Sequence, residues 1–436
     1  MKYYSLNQSG KKEATTTFKE AVIRGLAPDR GLYFPENIQP LDQDFISNID
    51  KYTHEEIAYE VIKQFVEGEI PEQDLKQIIK ETLCFDFPLV EVEENIWSLE
   101  LFHGPTMAFK DVGARFMARC LGYFGKKDKT TDVTVLVATS GDTGGAVASG
   151  FLGVNGVRVV ILYPSGKVSD IQEKQLTTLG RNITALEVNG VFDDCQEMVK
   201  TAFLDRDLKS QNLTSANSIN IARWLPQMFY FFFAYKQLKD KNKEVVFSVP
   251  SGNFGNICAG MMAYKLGLPL SHFIASTNIN DTVPRYIQTG KYSPKPSVQT
   301  ISNAMDVGNP SNFIRIQTLF DNDFDLLKTM FSSISYTDDA TRQAMQHIFK
   351  NSGYITDPHG AVGYLGLKDY LTNSSGKAGV FLETAHPVKF LDVVEETLGA
   401  KIEIPAQIQS VLGKDKVSVK INDYNDLKSY LLDRGV

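Results

Sequence analysis

From residue 133 onward, short, mostly apolar runs alternate with helical stretches, and this restricts the architecture more than any other feature of the chain. Strands are expected at 133–138, 157–163, 183–188 and 244–249, each rich in Val, Ile or Leu with no polar alternation. Runs of that kind are buried on both faces, as in parallel sheets covered by helices. Helices are expected between them: from the Ser140–Gly145 loop to about 152, after Ser169 (with Gln172 placed for a capping box), across 219–238, and from about Asn253. The first ninety residues read differently, as a mostly helical unit. Ile57, Val61, Ile62 and Phe65 recur at helical spacing over 53–67, Gly68 is a natural stop, and Pro71 restarts a helix to about Leu83. The chain thus divides into 1–90, a large α/β part of 91–111 with 225–400, a smaller α/β part of 112–224, and a C-terminal extension of 401–436.

Composition narrows the partners. The 436 residues carry 45 Lys and Arg against 52 Asp and Glu, a formal charge of −7, which disfavours nucleic acid as the main partner. The four cysteines (Cys84, Cys120, Cys195, Cys258) are far apart and suggest neither a disulfide framework nor a zinc site; a reducing, cytoplasmic setting fits. The start of the chain lacks the apolar core of a secretion signal. Residues 245–264 contain no charge and reach membrane-spanning length. Pro250, Gly252, Asn253, Gly255 and Asn256 interrupt them, which favours a buried strand, turn and helix. The aromatic run 229–235 reads as core packing inside a helix.

Two loops are suited to anions. Pro250-Ser251-Gly252-Asn253-Phe254-Gly255-Asn256 lies between a strand and a helix, where free amides and the helix dipole attract negative charge. A plain tight turn and a phosphate cradle are both open for it. Neither a P-loop ending in G-K-[ST] nor a G-x-G-x-x-G fingerprint occurs. Ser140 to Gly145 is the second such loop, fit for a carboxylate or another phosphate, although Asp142 resists an anion placed beside it. Together they point to a ligand in the crevice at the strand C-termini. The third element is His103-Gly104-Pro105-Thr106-Met107-Ala108-Phe109-Lys110-Asp111. Lys110 follows apolar residues and opens a helix carrying Val112, Phe116 and Leu121 on one side, with Asp111 and Arg115 at i,i+4. Both the dipole and the apolar neighbours favour its neutral amine, the form that makes Schiff bases. No H-E-x-x-H or close His pair suggests a metal site, and no G-x-S-x-G elbow occurs.

Taken together these segments closely resemble the threonine synthase family, pyridoxal-phosphate enzymes of fold type II (tryptophan-synthase-β-like). The matching stretches are R-G-L-A-P-D-R-G-L-Y-F-P from Arg24, H-G-P-T-M-A-F-K-D-V-G from His103, T-S-G-D-T-G-G-A from Thr139 and A-N-S-I-N from Ala216. They continue with P-S-G-N-F-G-N from Pro250, M-D-V-G-N-P-S-N from Met305, D-P-H-G from Asp357 and T-A-H-P-V-K-F from Thr384. They run in the family's order through about residue 400, and the match is weakest beyond it.

The resemblance implies two open α/β domains plus the helical N-terminal region, and pyridoxal 5'-phosphate as cofactor. By the same resemblance Lys110 is the Schiff-base lysine and Gly252, Asn253, Phe254, Gly255 and Asn256 cradle the cofactor phosphate. Asp142 stands near the phenolic oxygen, and Thr384 hydrogen-bonds the pyridine nitrogen. The implied reaction converts O-phospho-L-homoserine and water to L-threonine and phosphate. Ser140, Thr143, Asn217, Ser218 and Asn303 are the expected substrate contacts, with Lys389 and Arg223 as further candidates, although Arg223 could also be a helix surface charge. The alternatives are another lyase or dehydratase of this cofactor group, a related phospho-lyase that releases phosphate without threonine, or a non-enzymatic binder of a phosphate ligand. A monomer or homodimer acting on a small molecule, with no nucleic acid, membrane or metal, completes the expectation.

Overall fold

The alternation read in the sequence becomes two parallel sheets in the computed structural model, which describes residues 1–7, 15–128, 133–374 and 376–433. In chain order the strands are β1 (Tyr3–Ser5), β2 (Tyr33–Pro35), β3 (Leu89–Glu93), β4 (Ile96–Glu100), β5 (Val133–Ala138), β6 (Val157–Pro164) and β7 (Ile183–Val188). They continue with β8 (Leu213–Ser215), β9 (Val245–Pro250), β10 (Leu270–Thr277), β11 (Phe331–Ser335), β12 (Ala378–Glu383) and β13 (Val419–Ile421). One sheet has the order β11-β10-β9-β12-β4-β3, parallel except for the antiparallel β3–β4 edge. The other has the order β13-β7-β6-β5-β8 and is parallel throughout. β9 and β12 are buried at every position, Ser248 and Glu383 included, as central strands of a sheet covered on both faces are.

The loops that matter leave the C-terminal ends of β4, β9 and β12 in the first sheet and of β5 in the second, so a crevice forms there. The uncharged 245–264 segment is β9, a turn and the Gly255–Lys265 helix. Among the described residues no helix is long and apolar enough to cross a membrane. Phe229 to Ala234 are wholly buried, as core aromatics should be.

Several local expectations are corrected. The 219–238 helix is broken: Ile221–Trp224 is helical, Leu225–Gln227 is a 3-10 turn, and Met228–Leu238 resumes the α-helix. Pro226, which has no N–H to give, sits in the turn. Pro71 is the N-cap of the Glu72–Thr82 helix rather than its first residue. The N-terminal ninety residues also hold the small antiparallel pair β1–β2 and the start of β3. The 401–436 segment supplies β13, the edge strand that extends the second sheet. Asp111 and Arg115 do not pair. Asp111 turns inward to Thr106, while Arg115 donates to the Glu81 carbonyl.

A buried histidine sets one solution property. His272 on β10 stacks on Tyr370 at 4.7 Å, and its Nε2 lies 3.0 Å from Ser332 Oγ. Burial first, and then the Lys377 charge, push it from its ordinary 6.5 down to about 4. The unfolded chain therefore binds a proton at pH values where the folded one does not. Stability should fall as pH drops from about 6.5 to about 4, by at most roughly 1.4 kcal/mol per unit from this group. Thermal melts across that window should show a shallower slope in His272→Gln, which keeps a polar end for Ser332. An unchanged slope would remove His272 from the acid response.

Candidate active site

The loop after β9 explains why its residues are small. Phe254 adopts φ 61° and ψ 12° and caps the Gly255–Lys265 helix without a side-chain bond. A Cβ on Gly252 would stand 2.7 Å from Met305 Cα and 2.8 Å from the Ala304 carbonyl, so only glycine admits that approach. Among the described residues, none of the five backbone amides from Gly252 to Asn256 has an acceptor. Five adjacent free donors at a helix start, with no carboxylate in the loop, form an anion cradle. The side chains around them are already committed. Asn253 Nδ2 donates to Ser218 Oγ (2.9 Å), Asn256 Nδ2 donates to the Pro250 carbonyl (2.9 Å), and Asn253 Oδ1 accepts from Ser311 N (2.5 Å).

The loop after β5 is built similarly. Gly141 has φ 141°, and a Cβ there would run into Gln172 at 2.5 Å. Thr139 Oγ1 accepts from the Gly141 and Gly144 amides, at 3.0 and 2.8 Å. The amides of Ser140, Asp142 and Thr143 have no acceptor among the described residues. Ser140 and Thr143 are partly exposed, whereas Asp142 is buried.

Lys110 is the first residue of the Lys110–Asp128 helix. It keeps part of its surface open to the crevice, while the surrounding protein desolvates its amine. Nζ has no hydrogen-bond acceptor among the described residues and lies 5.5 Å from the Phe109 ring centroid. Its pKa is lowered: burial is the main cause, Asp142 opposes it, and the charges of Lys389 and Arg223 add to it. Burial thus disfavours the charged form, as the apolar neighbours suggested; the helix dipole is not among the causes. The preceding backbone is stitched to the end of β12, with Phe109 N donating to the Thr384 carbonyl (2.9 Å) and His386 N to that of Met107 (3.0 Å). Thr384 Oγ1 makes no hydrogen bond among the described residues.

Asp142 and Lys389 form a buried ion pair at 2.7 Å, with side chains 4% and 0% exposed. Lys389 Nζ also donates to the Thr106 carbonyl (2.8 Å), and Gln172 Nε2 donates to Asp142 Oδ1 (2.9 Å). Burial alone would raise the Asp142 carboxyl; Lys389 and Lys110 outweigh it and hold the group well below the usual carboxylate range. Arg223 is no surface charge: it is 2% exposed and donates to the Ala216 carbonyl. Burial pushes it down to about 10, leaving it charged at neutral pH.

The remaining sequence-derived residues meet at the same crevice. Asn217 Nδ2 reaches the Ala138 carbonyl at the end of β5 (3.3 Å), Ser218 holds Asn253, and the turn Asn303–Met305 packs on Gly252. Sequence reasoning assigned no role to the groups behind that turn. Asp357 caps the Pro358–Thr372 helix, and its Oδ1 accepts from the His359 amide and faces His359 Nδ1, both at 2.5 Å. His359 Nε2 accepts from the Ala304 amide at 3.2 Å, which assigns the ring as the neutral Nδ1-protonated tautomer. Glu383, one residue before Thr384, is fully buried; burial, then the Asp357 charge, push its carboxyl well up. D-P-H-G marked the place, but a motif shows no burial.

Breaking the ion pair should leave Asp142 charged and unpaired. Lys389→Met should cost about 3–5 kcal/mol in urea unfolding, and most of that should return in Lys389→Met/Asp142→Asn. Additive losses would mean that the two groups act independently.

Comparisons with known proteins place nearly the whole chain in one family. The family model described as pyridoxal-phosphate dependent enzyme matches residues 76–382, that for the threonine synthase N terminus residues 2–83, and that for the threonine synthase C-terminal region residues 360–431. The threonine synthase of Haemophilus influenzae is 47% identical over 96% of this chain and 97% of its own. A crystal structure of threonine synthase from Escherichia coli superposes with TM-score 0.93 at 42% identity, covering 99% of this chain and 100% of that one. An X-ray structure of PLP-bound threonine synthase from Brucella melitensis gives TM-score 0.92 at 33% identity, covering 99% and 98%.

Proposed function

The chain belongs to the threonine synthase family of pyridoxal-phosphate-dependent enzymes, of fold type II, and from that membership we propose how its own residues divide the work. It is a pyridoxal-phosphate-dependent lyase of threonine biosynthesis. Its substrate on this reading is O-phospho-L-homoserine, which with water gives L-threonine and inorganic phosphate. The cofactor, when bound, supplies an electron sink for negative charge developing on the substrate carbons.

Lys110 is the amine that takes the cofactor aldehyde, and the observation that carries the assignment is its acceptor-free nitrogen in surroundings that favour the neutral form. Where it is not joined to the cofactor, the same nitrogen would be a base able to move protons at the substrate's Cα and beyond. The free amides from Gly252 to Asn256 hold the cofactor phosphate. The Thr384 hydroxyl donates to the ring nitrogen. A hydroxyl cannot ion-pair with a pyridinium, which favours elimination and replacement over transamination. Asp142, pinned by Lys389, stands at the phenolic oxygen.

Ser140, Thr143, Asn217, Ser218 and Asn303 offer donors to the substrate carboxylate and phosphate. Lys389 and Arg223 serve from behind, since the first is engaged with Asp142 and Thr106 and the second is buried against Ala216. Residues 91–111 with 225–400 then hold the cofactor and 112–224 face the substrate. Every group named comes from one chain, so a monomer or homodimer suffices, and we place the enzyme in the cytoplasm.

Incubation of the purified protein with O-phospho-L-homoserine should give threonine and phosphate in equal amounts. Phosphate without threonine would assign the phospho-lyase alternative instead. Lys110→Ala should lower turnover by at least about a thousandfold, and borohydride reduction of the holoenzyme should label Lys110; full turnover in the variant would eliminate that residue. Gly252→Ala should weaken cofactor retention by at least about tenfold, because its Cβ would press on the backbone at Met305.

A further inference from the structure

Arg315 is fully buried, at 0% exposure, in the Phe313–Leu319 helix, and no motif drew attention to it. Among the described residues no carboxylate lies within ion-pairing distance of its guanidinium. Its donors go to neutral acceptors only. Nη1 reaches Asn312 Oδ1 (2.7 Å) and the Ser218 carbonyl (3.3 Å), while Nη2 reaches the Ile219 (2.7 Å) and Tyr33 (2.9 Å) carbonyls. Nε is buried without any partner. The plane stacks 4.4 Å from the Trp224 ring centroid. A buried charge without a counter-charge is among the costliest features a fold can carry, and side-chain dipoles and a ring face only partly offset it.

What lies in front of that charge is the amide cradle. Asn312, held by Arg315, donates from Nδ2 to Ser218 Oγ (3.2 Å), the same oxygen that accepts from Asn253 Nδ2. Asn312 N donates to the Asn253 carbonyl (3.3 Å), and a Cβ on Gly255 would stand 3.3 Å from Asn312 Nδ2. One neutral amide side chain therefore separates the guanidinium from the loop, with no ionised acid between them.

We propose that Arg315 is a positioning residue whose buried positive charge, transmitted through Asn312 and Ser218, is balanced by the phosphate dianion seated on the Gly252–Asn256 amides. This rests on the cofactor-phosphate assignment of that loop. The charge is compensated when the anion binds, so the anion stabilises the folded chain by more than its direct hydrogen bonds account for. Weak screening in the interior lets the charge act across that one intervening side chain. Arg315 touches neither substrate nor reacting atoms.

The test separates charge from hydrogen bonding. Apoenzyme prepared by dialysis is titrated with pyridoxal phosphate for wild type, Arg315→Lys and Arg315→Gln. The expected result is a Kd raised at least about tenfold in Arg315→Gln and less than about threefold in Arg315→Lys. In the Arg315→Gln holoenzyme the phosphorus-31 resonance of the cofactor phosphate should titrate at higher pH than in wild type. Equal losses in the two variants, or none in Arg315→Gln, would overturn the inference. If Arg315→Gln does not fold, wild-type apoenzyme still decides. Its melting temperature should rise more with inorganic phosphate than with chloride at equal ionic strength, and equal effects would overturn the inference. Wild-type apoenzyme that takes up no cofactor would overturn the assignment of the loop itself, a distinct outcome.

Discussion

The Asp142–Lys389 ion pair joins the two sheets at the crevice, and the geometry of the site depends on it. Asp142 opens the helix after β5 in one sheet, and Lys389 follows β12 in the other. Thr106, from the loop after β4, accepts the second Lys389 bond. Three loops thus meet at one ammonium that water does not reach. Desolvating two charges costs several kcal/mol, so such a pair is a poor source of stability in itself. Its consequence is electrostatic: it fixes a cation and an anion beside Lys110, and with burial they set how readily that amine loses its proton.

The net charge of −7 does not say where charge lies. Buried acids and buried cations both stand around the crevice, Asp111, Asp142 and Asp357 among the acids. Lys389, Arg223 and Arg315 are buried cations, and Asp142 neutralises one of them. Burial pushes the Asp111 carboxyl up, against its two hydrogen bonds with Thr106. Anion affinity in a mildly acidic protein then comes from local desolvated charge and oriented amides, not from overall composition.

Strands β5, β6, β7 and β9, mostly apolar despite Thr134, Arg158, Glu187 and Ser248, were legible within a residue of their expected limits because they alternate with helical stretches. β4, β10 and β12 are of similar composition and were not read as strands; their pairing is decided by partners distant in sequence. Lys110 and the two glycine loops were legible because local chemistry suffices to single them out. Arg315, His359 and Glu383 were not. A charged residue is ordinarily at the surface, and nothing in F-I-R-I announces that this arginine is sealed under Tyr33 and Trp224, contributed by segments more than ninety residues away.

Strand order gives the two sheets different roles. β9, β12 and β4 are adjacent in one sheet, and their C-terminal ends carry the amide cradle, Thr384 and the segment leading to Lys110. On the proposed assignments those are the phosphate, ring-nitrogen and aldehyde partners of a single rigid molecule, and a hydrogen-bonded sheet is the element best able to hold their spacing. The bridge between Ala108 and Ala385 and the bonds flanking it extend that rigidity past the strand ends to Lys110 itself. The second sheet leads into Ser140, in the loop after β5, and Thr143, on a helix of small residues, Asp142–Phe151; neither side chain has a hydrogen-bond partner among the described residues. Lys389, bonded to both Asp142 and Thr106, ties the start of that helix to the loop after β4 in the first sheet.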